Sequence, residues 1–373
     1  MKVALVHDFL LEYGGAERVV EALHELWPEA PVYTAFVDPK ELGSHWERLR
    51  TWDIRTSWGQ RIPFFRQLQS PLRFLAPAYF KHFDLSKYDV VISSTNAYFA
   101  KSVNVPSGIH ICYCHTPARA LYGYPTRIEW KKHLATRIYG TVVNHFLRME
   151  DWHAARQVDY FVANSKEVAR RIKKFYRRES TVIYPPVSLP SPKVGNLPGV
   201  LSKGDYYLYV GKLAVAKHVE LTILACRKLG VKLVVVGDGN ERFRLERIGG
   251  LTTHFFGNVD DARLVSLYKG CRAVIFPSED EDFGIVPVEA MSFGKPVLAH
   301  RSGGVVESVI DGKTGVFFNE FTIEDLVLAI QKLGRLRISS EACRKQARKF
   351  SKNQFINEMH SFVERCVMQG KRD

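Results

Sequence analysis

Short apolar runs alternate along the chain with longer segments whose apolar residues recur three and four apart. Residues 2–6, 32–36, 89–94, 108–115 and 159–165 read as strands. Residues 14–23 open a helix, with Ala16, Val19, Val20 and Leu23 on one face. The strands are nearly continuous in apolar character and helical segments separate them. That pattern predicts a parallel sheet covered on both faces. Prolines 185, 186, 190 and 192 then break the rhythm and predict a stiff linker over 184–192. Beyond it the alternation restarts, with strands at 206–210, 232–236, 254–256, 273–276 and 296–299, and residues 351–368 read as a last helix. A chain of 373 residues is too long for one comfortable core. The expected domains are 1–185 and 186–350, both α/β and doubly wound.

Composition narrows the class. Hydrophobic residues make up 46% and aromatics 12%, as in a globular protein. No stretch approaches the roughly 20 apolar residues that span a bilayer. The opening apolar run ends at His7-Asp8 and reads as a buried strand rather than a signal peptide. The six cysteines have no Cys-x-x-Cys spacing, which fits free thiols in a reducing cytoplasm. The net charge of +14 attracts polyanions: phosphorylated substrates, anionic lipid or nucleic acid.

The densest candidate chemistry lies at 281–297. Glu281 and Glu289 have seven residues between them, and Phe283-Gly284-Ile285-Val286 lies in that interval ahead of a helix start. Amides of Phe283, Gly284 and Ile285 at such a start are donors for an oxygen-rich ligand. Glu289, placed in the first turn, suits a ribose diol, and Glu281 suits the hydroxyls of a sugar. Gly211, Lys212 and Lys217 follow the first strand of the second domain, where both lysines can reach a diphosphate. Gly14-Gly15, between the first strand and its helix, offers close backbone approach to phosphate or sugar, and is not the dinucleotide fingerprint. His115 ends a strand, and Arg119 follows it as a possible phosphate ligand. Asp280-x-Asp282 reads either as a divalent-cation pair or as a solvated acidic turn. Residues 54–83 have no acidic side chain and interleave Arg55, Arg61, Arg66, Arg73 and Lys81 with Trp58, Phe64, Phe65, Phe74, Tyr79 and Phe80. That mixture suits anionic lipid or single-stranded nucleic acid, unless the rings fill the first core.

Taken together, the segments at 210–217 and 276–297 and the stretch around His115 resemble the signature of retaining glycosyltransferases of family 4. The resemblance covers nearly the whole chain. It implies the GT-B fold: two Rossmann-like domains facing across a cleft, with the helix at 351–373 returning to the first domain. It implies that Lys212 and Lys217 stabilise a leaving nucleoside diphosphate and that Glu289 anchors the ribose. Glu281, with Phe283, Gly284, Ile285 and Val286, would orient the hexose, and His115 would touch it from the other domain. The first basic position is more often arginine in that family, whereas here it is Lys212. No metal or other cofactor is implied. His115-Thr116-Pro117 followed by Arg119 is similar to mannosyltransferases of bacterial surface polysaccharide assembly. The expected donor is therefore GDP-mannose and the expected acceptor a polyprenyl-diphosphate-linked or other glycan. The expected location is the cytoplasmic face of an anionic membrane, with Arg61, Arg66, Arg73 and Arg119 toward acceptor or lipid and no nucleic-acid partner. A UDP-sugar donor and a GT-B nucleotide-sugar epimerase stay open. So does a non-catalytic polyanion-binding protein, which the paired acids oppose.

Overall fold

The computed structural model describes residues 1–96, 98–124, 133–187 and 201–370. Most of the proline-rich 184–192 segment and the last three residues of the 351–373 segment lie outside that set, as does the side chain of Arg66. The chain divides into two compact units, Met1–Pro186 with Asn353–Asp373, and Val187–Lys352.

In the first unit, β1 (Val3–His7), β2 (Val32–Thr34), β3 (Ile54–Thr56), β4 (Val90–Thr95), β5 (Ile109–Cys114), β6 (Tyr160–Ala163) and β7 (Thr181–Val182) form one parallel sheet, in the order β3-β2-β1-β4-β5-β6-β7. The second unit holds β8 (Tyr206–Val210), β9 (Lys232–Val236), β10 (Thr253–Gly257), β11 (Ala273–Phe276), β12 (Val297–His300) and β13 (Gly315–Phe318), in the order β10-β9-β8-β11-β12-β13. β3, β7 and β13 were not expected from the apolar pattern. All three are edge strands, paired on one side only. An edge strand needs less apolar sequence than a central one, which fits the short β3 and β7. β13 is apolar and fully buried, and its run of Val316, Phe317 and Phe318 was the available signal.

Both faces of each sheet are buried, which is why the central strands are apolar at successive positions. In β1, Val3 and Leu5 pack with Val19, Val20 and Leu23 of helix Gly15–Leu26. Phe355, Met359, Phe362 and Val363 of the last helix, Lys352–Gln369, complete that same cluster. Ala4 and Val6 point the other way, onto Tyr79, Phe80, Phe83 and Leu147. In the second unit, Tyr207, Tyr209, Val235 and Ile275 pack with Leu326, Ile330 and Leu333 of helix Ile323–Arg335. All six cysteines are buried and none is bonded to another.

Each sheet is doubly wound, and strand order reverses between β1 and β4 and between β8 and β11. Ligands of such sheets bind beyond the carboxyl ends of the strands at the reversal. Two loop clusters therefore become candidates: the segments after β1 and β4, and those after β8 and β11.

Candidate functional site

At the reversal of the second sheet, the loop after β8 passes Gly211 and the exposed Lys212 and ends in a helical turn, Val215–Lys217. The ammonium of Lys217 pairs with the carboxylate of Glu281, in the loop after β11. These two side chains are 29% and 25% exposed, so both remain within reach of a ligand. The sequence reading gave them to different parts of a donor; the fold puts them in contact.

The Glu281 loop is held by residues the sequence reading did not single out. Ser302 Oγ accepts from the Asp280 amide at 3.0 Å, and His300 Nδ1 lies 2.8 Å from that hydroxyl. The Gly304 amide donates to the Glu281 carbonyl at 2.7 Å. Gly303 has φ +65°, and a Cβ there would sit 2.3 Å from the Glu281 carbonyl oxygen. Only glycine allows that approach. The run Ser302-Gly303-Gly304 was the available signal, but nothing local ties it to Glu281.

Phe283 is buried against Phe350, with ring centroids 5.4 Å apart. Gly284 caps helix Ile285–Ser292 with φ +84°, and Ile285 and Val286 begin the helix half-buried. Amides of a first turn have no partner within their helix. Glu289 corrects the expectation that it lies in the first turn. The helix starts at Ile285, which makes Glu289 its fifth residue, and the first turn has no acidic side chain. Its carboxylate accepts from the Tyr268 hydroxyl at 2.9 Å, and the Tyr268 ring stacks on Phe293. Among the described residues, no group of three or more His, Cys, Asp or Glu is arranged to hold a metal ion.

In the first unit, Gly14 caps helix Gly15–Leu26, and its amide donates to Glu17 Oε2 at 2.8 Å. The Gly14 amide, expected to face a ligand, is thus engaged by this capping carboxylate. Asp8 was read only as the end of an apolar run. It is buried and accepts from the Thr95 hydroxyl and from the amides of Asn96, Tyr98 and Ala100 at 2.7–3.2 Å, which fixes the loop after β4. His115 follows β5, and its Nε2 lies 2.8 Å from Ser94 Oγ. Burial, and then the nearby His7, lower its pKa to about 3, so the ring is neutral at physiological pH. The buried Arg171 donates to the Thr116 hydroxyl at 3.2 Å and anchors the residue after His115. Arg119 is half-buried with its guanidinium 5.9 Å from the Tyr124 ring centre. Arg61 is exposed, while Arg73 is half-buried and donates to Asn144.

Comparison with known proteins agrees with this architecture. Residues 13–189 match the family Glycosyltransferase Family 4, and residues 198–350 match Glycosyl transferases group 1. The sulfoquinovosyl transferase SQD2 of Arabidopsis thaliana is 34% identical over 146 residues, 38% of this chain and 29% of that protein. The alpha-1,3/1,6-mannosyltransferase ALG2 of Candida glabrata is 26% identical over 83% of this chain and 78% of its own length. The chain spans between 29% and 59% of the length of the first curated relatives it matches. The structure of Anabaena Alr3699/HepE in complex with UDP-glucose superposes with a TM-score of 0.66 at 18% identity, over 98% of this chain and all of that one. The chain therefore has the GT-B fold, two parallel-sheet Rossmann-like units whose residues match two glycosyltransferase family models.

Proposed function

We propose that this protein is a retaining glycosyltransferase that moves an α-hexose, mannose from GDP-mannose, onto a glycan acceptor carried on a polyprenyl diphosphate. The observation that carries the reading is the contact of Lys217 with Glu281 at the reversal of the second sheet. A cation for the diphosphate and an acid for the hexose stand side by side there. In the reaction the acceptor oxygen bonds to the anomeric carbon as the sugar–phosphate bond breaks. The departing phosphate takes the acceptor's proton on the same face of the sugar. Lys217 and Lys212 stabilise the charge that grows on the nucleoside diphosphate. Glu289, oriented by Tyr268, receives the ribose diol, and Glu281 with the Phe283–Ile285 backbone orients the hexose. His115 contributes its neutral ring to the sugar. The ALG2 mannosyltransferase relative supports mannose. The HepE complex supports UDP-glucose as the second donor reading.

A thermal-shift panel in EDTA tests the donor. GDP-mannose at a hundred times its Kd stabilises the protein by about 2.7 kcal/mol. The same shift with UDP-glucose alone would replace the donor, and no shift with any nucleotide would remove the reading. Conversion of the donor to an epimer without acceptor would make the protein an epimerase instead.

Attachment to an anionic membrane belongs to this reading, because the proposed acceptor is a lipid. No helix among the described residues is long and apolar enough to cross a membrane. On helix Leu134–Gln157, however, Leu134, Ile138, Val142, Phe146 and Met149 form one exposed row at helical spacing. Residues 134–149 have no acidic side chain, and Tyr139 donates to the Pro71 carbonyl, which joins this row to the acid-free 54–83 segment. Trp58, Phe64 and Phe74 of that segment are exposed, whereas Tyr79 and Phe80 are core. The protein is expected to pellet with phosphatidylglycerol vesicles. Val142→Glu with Phe146→Glu weakens binding about tenfold or more, since each charge at such a surface is worth about 1 kcal/mol. Equal pelleting of the double variant would exclude this face.

A further inference from the structure

Beside the Lys217–Glu281 pair, the carboxyl end of the second sheet carries a circuit of contacts, and His218 is its strained member. His218 has φ +46° and ψ +35°, the left-handed region, where a side chain is uncommon and glycine is at ease. It forms the corner between the turn Val215–Lys217 and helix Val219–Leu229. From that corner its Nε2 lies 3.3 Å from Glu279 Oε2, with the two side chains 30% and 39% exposed. A carboxylate only accepts, so Nε2 is the donor whether or not the ring is charged. The His218 ring also stacks on Phe321, with centres 4.2 Å apart.

The contacts return to their start. Phe321, three residues beyond β13, also stacks on His300 at 3.8 Å. His300 ends β12, and its Nδ1 lies beside the Ser302 hydroxyl that accepts from the Asp280 amide. Asp280 joins Glu279 to Glu281 and has a positive φ of its own, +47°. The loops after β8, β11, β12 and β13 are thereby tied together within one unit. Two consecutive residues of the first loop, Lys217 and His218, hold two acids of the second, Glu281 and Glu279.

A partly exposed ion pair contributes little by itself. Here a hydrogen bond and a ring stack act on one side chain, and they hold a backbone conformation that is unfavourable alone. Such strain persists only where neighbours over-determine it, and it gathers at functional sites. Were His218 to relax, the chain would change direction directly after Lys217.

We propose that His218 is a positioning residue for Lys217: its clasp on Glu279, backed by Phe321, holds the loop after β8 where the Lys217 ammonium meets Glu281 and the leaving diphosphate. The proposal rests on the reading of Lys217 as a ligand of that diphosphate. His218 acts through Lys217 and is given no contact with substrate.

His218→Gly tests it, because glycine removes clasp and stack but accepts the left-handed corner, so the protein still folds. ¹H–¹⁵N spectra of ¹⁵N-lysine-labelled protein give a readout free of substrate. Lys217 Nζ, identified by its loss in Lys217→Ala, is expected to give an ammonium signal in the native protein and none in His218→Gly. Absence of the signal in the native protein, or its persistence in His218→Gly, overturns the proposal. With GDP-mannose and acceptor, kcat is expected to fall about tenfold, within the range that coupled neighbours show. KM stays near native, as for an interaction made only in the transition state. His218→Gln, which keeps a donor for Glu279, recovers most of the loss. In the Lys217→Ala background His218→Gly costs nothing further. Native kcat in His218→Gly, or a second tenfold loss in that background, overturns the proposal, since His218 would then not act through Lys217. The parent reading fails differently: native turnover in Lys217→Ala removes Lys217 from the reaction whatever His218 does.

Discussion

Lys217→Ala is expected to lower turnover by about 100-fold while the protein melts near its normal temperature. The two halves of that expectation have different causes. In the free protein Lys217 pairs with Glu281 at a partly exposed site, where an ion pair contributes about 0–1 kcal/mol to stability. In the proposed reaction the same ammonium would meet charge that develops only as the sugar–phosphate bond breaks. Removing one donor of that kind costs about 2.7 kcal/mol or more, which is the 100-fold. Glu281→Ala is expected to behave alike, since it would lose the orienting contact to the hexose that the proposed function gives it. The checking measurements are kcat with GDP-mannose and acceptor beside a thermal melt of each variant. Near-normal rates in both would defeat the assignment, and a collapse of the melt in both would make the pair structural.

Lys101→Met is expected to have the largest effect on stability, a loss of about 3–5 kcal/mol. Lys101 and Asp151 pair at 2% and 0% exposure, and the Tyr122 hydroxyl also donates to Asp151 at 2.9 Å. The Lys101 ammonium lies 5.5 Å and 5.3 Å from the ring centres of Phe99 and Tyr176. Without the lysine, a carboxylate stays behind in a nearly dry site. That uncompensated charge, more than the lost attraction, carries the cost. Lys101→Met with Asp151→Leu should therefore recover most of the loss, because it removes both charges. Urea midpoints of the first unit's unfolding decide the matter. A single variant no worse than the double would show that the pair is not held away from water.

The central strands were legible because they are buried on both faces. β8, β9 and β11 begin and end where their apolar runs do, at Tyr206–Val210, Lys232–Val236 and Ala273–Phe276. Edge strands such as β3, where Arg55 and Thr56 follow Ile54, have no such run to read. Lys217 and Glu281 could be singled out by their surroundings in sequence. Their supports could not, since Ser302 reaches Asp280 across 22 positions and Ser94 reaches His7 across 87. Glu289 was placed a turn too early because the start of its helix depends on the left-handed Gly284, whose φ the sequence does not display. His7-Asp8 looked like the mere end of an apolar run. In the folded chain these two residues organise the reversal point of the first sheet.

The last helix closes the cluster that β1 begins, so the second unit is threaded into the first as an insertion. During synthesis the amino-terminal sheet emerges early, yet one of its faces keeps an apolar stripe uncovered until Phe355 to Val363 have left the ribosome. Domains that fold as they are made usually finish in order of appearance. Here the order is inverted: the second unit can mature first, and the unit that comes first in the sequence is sealed last.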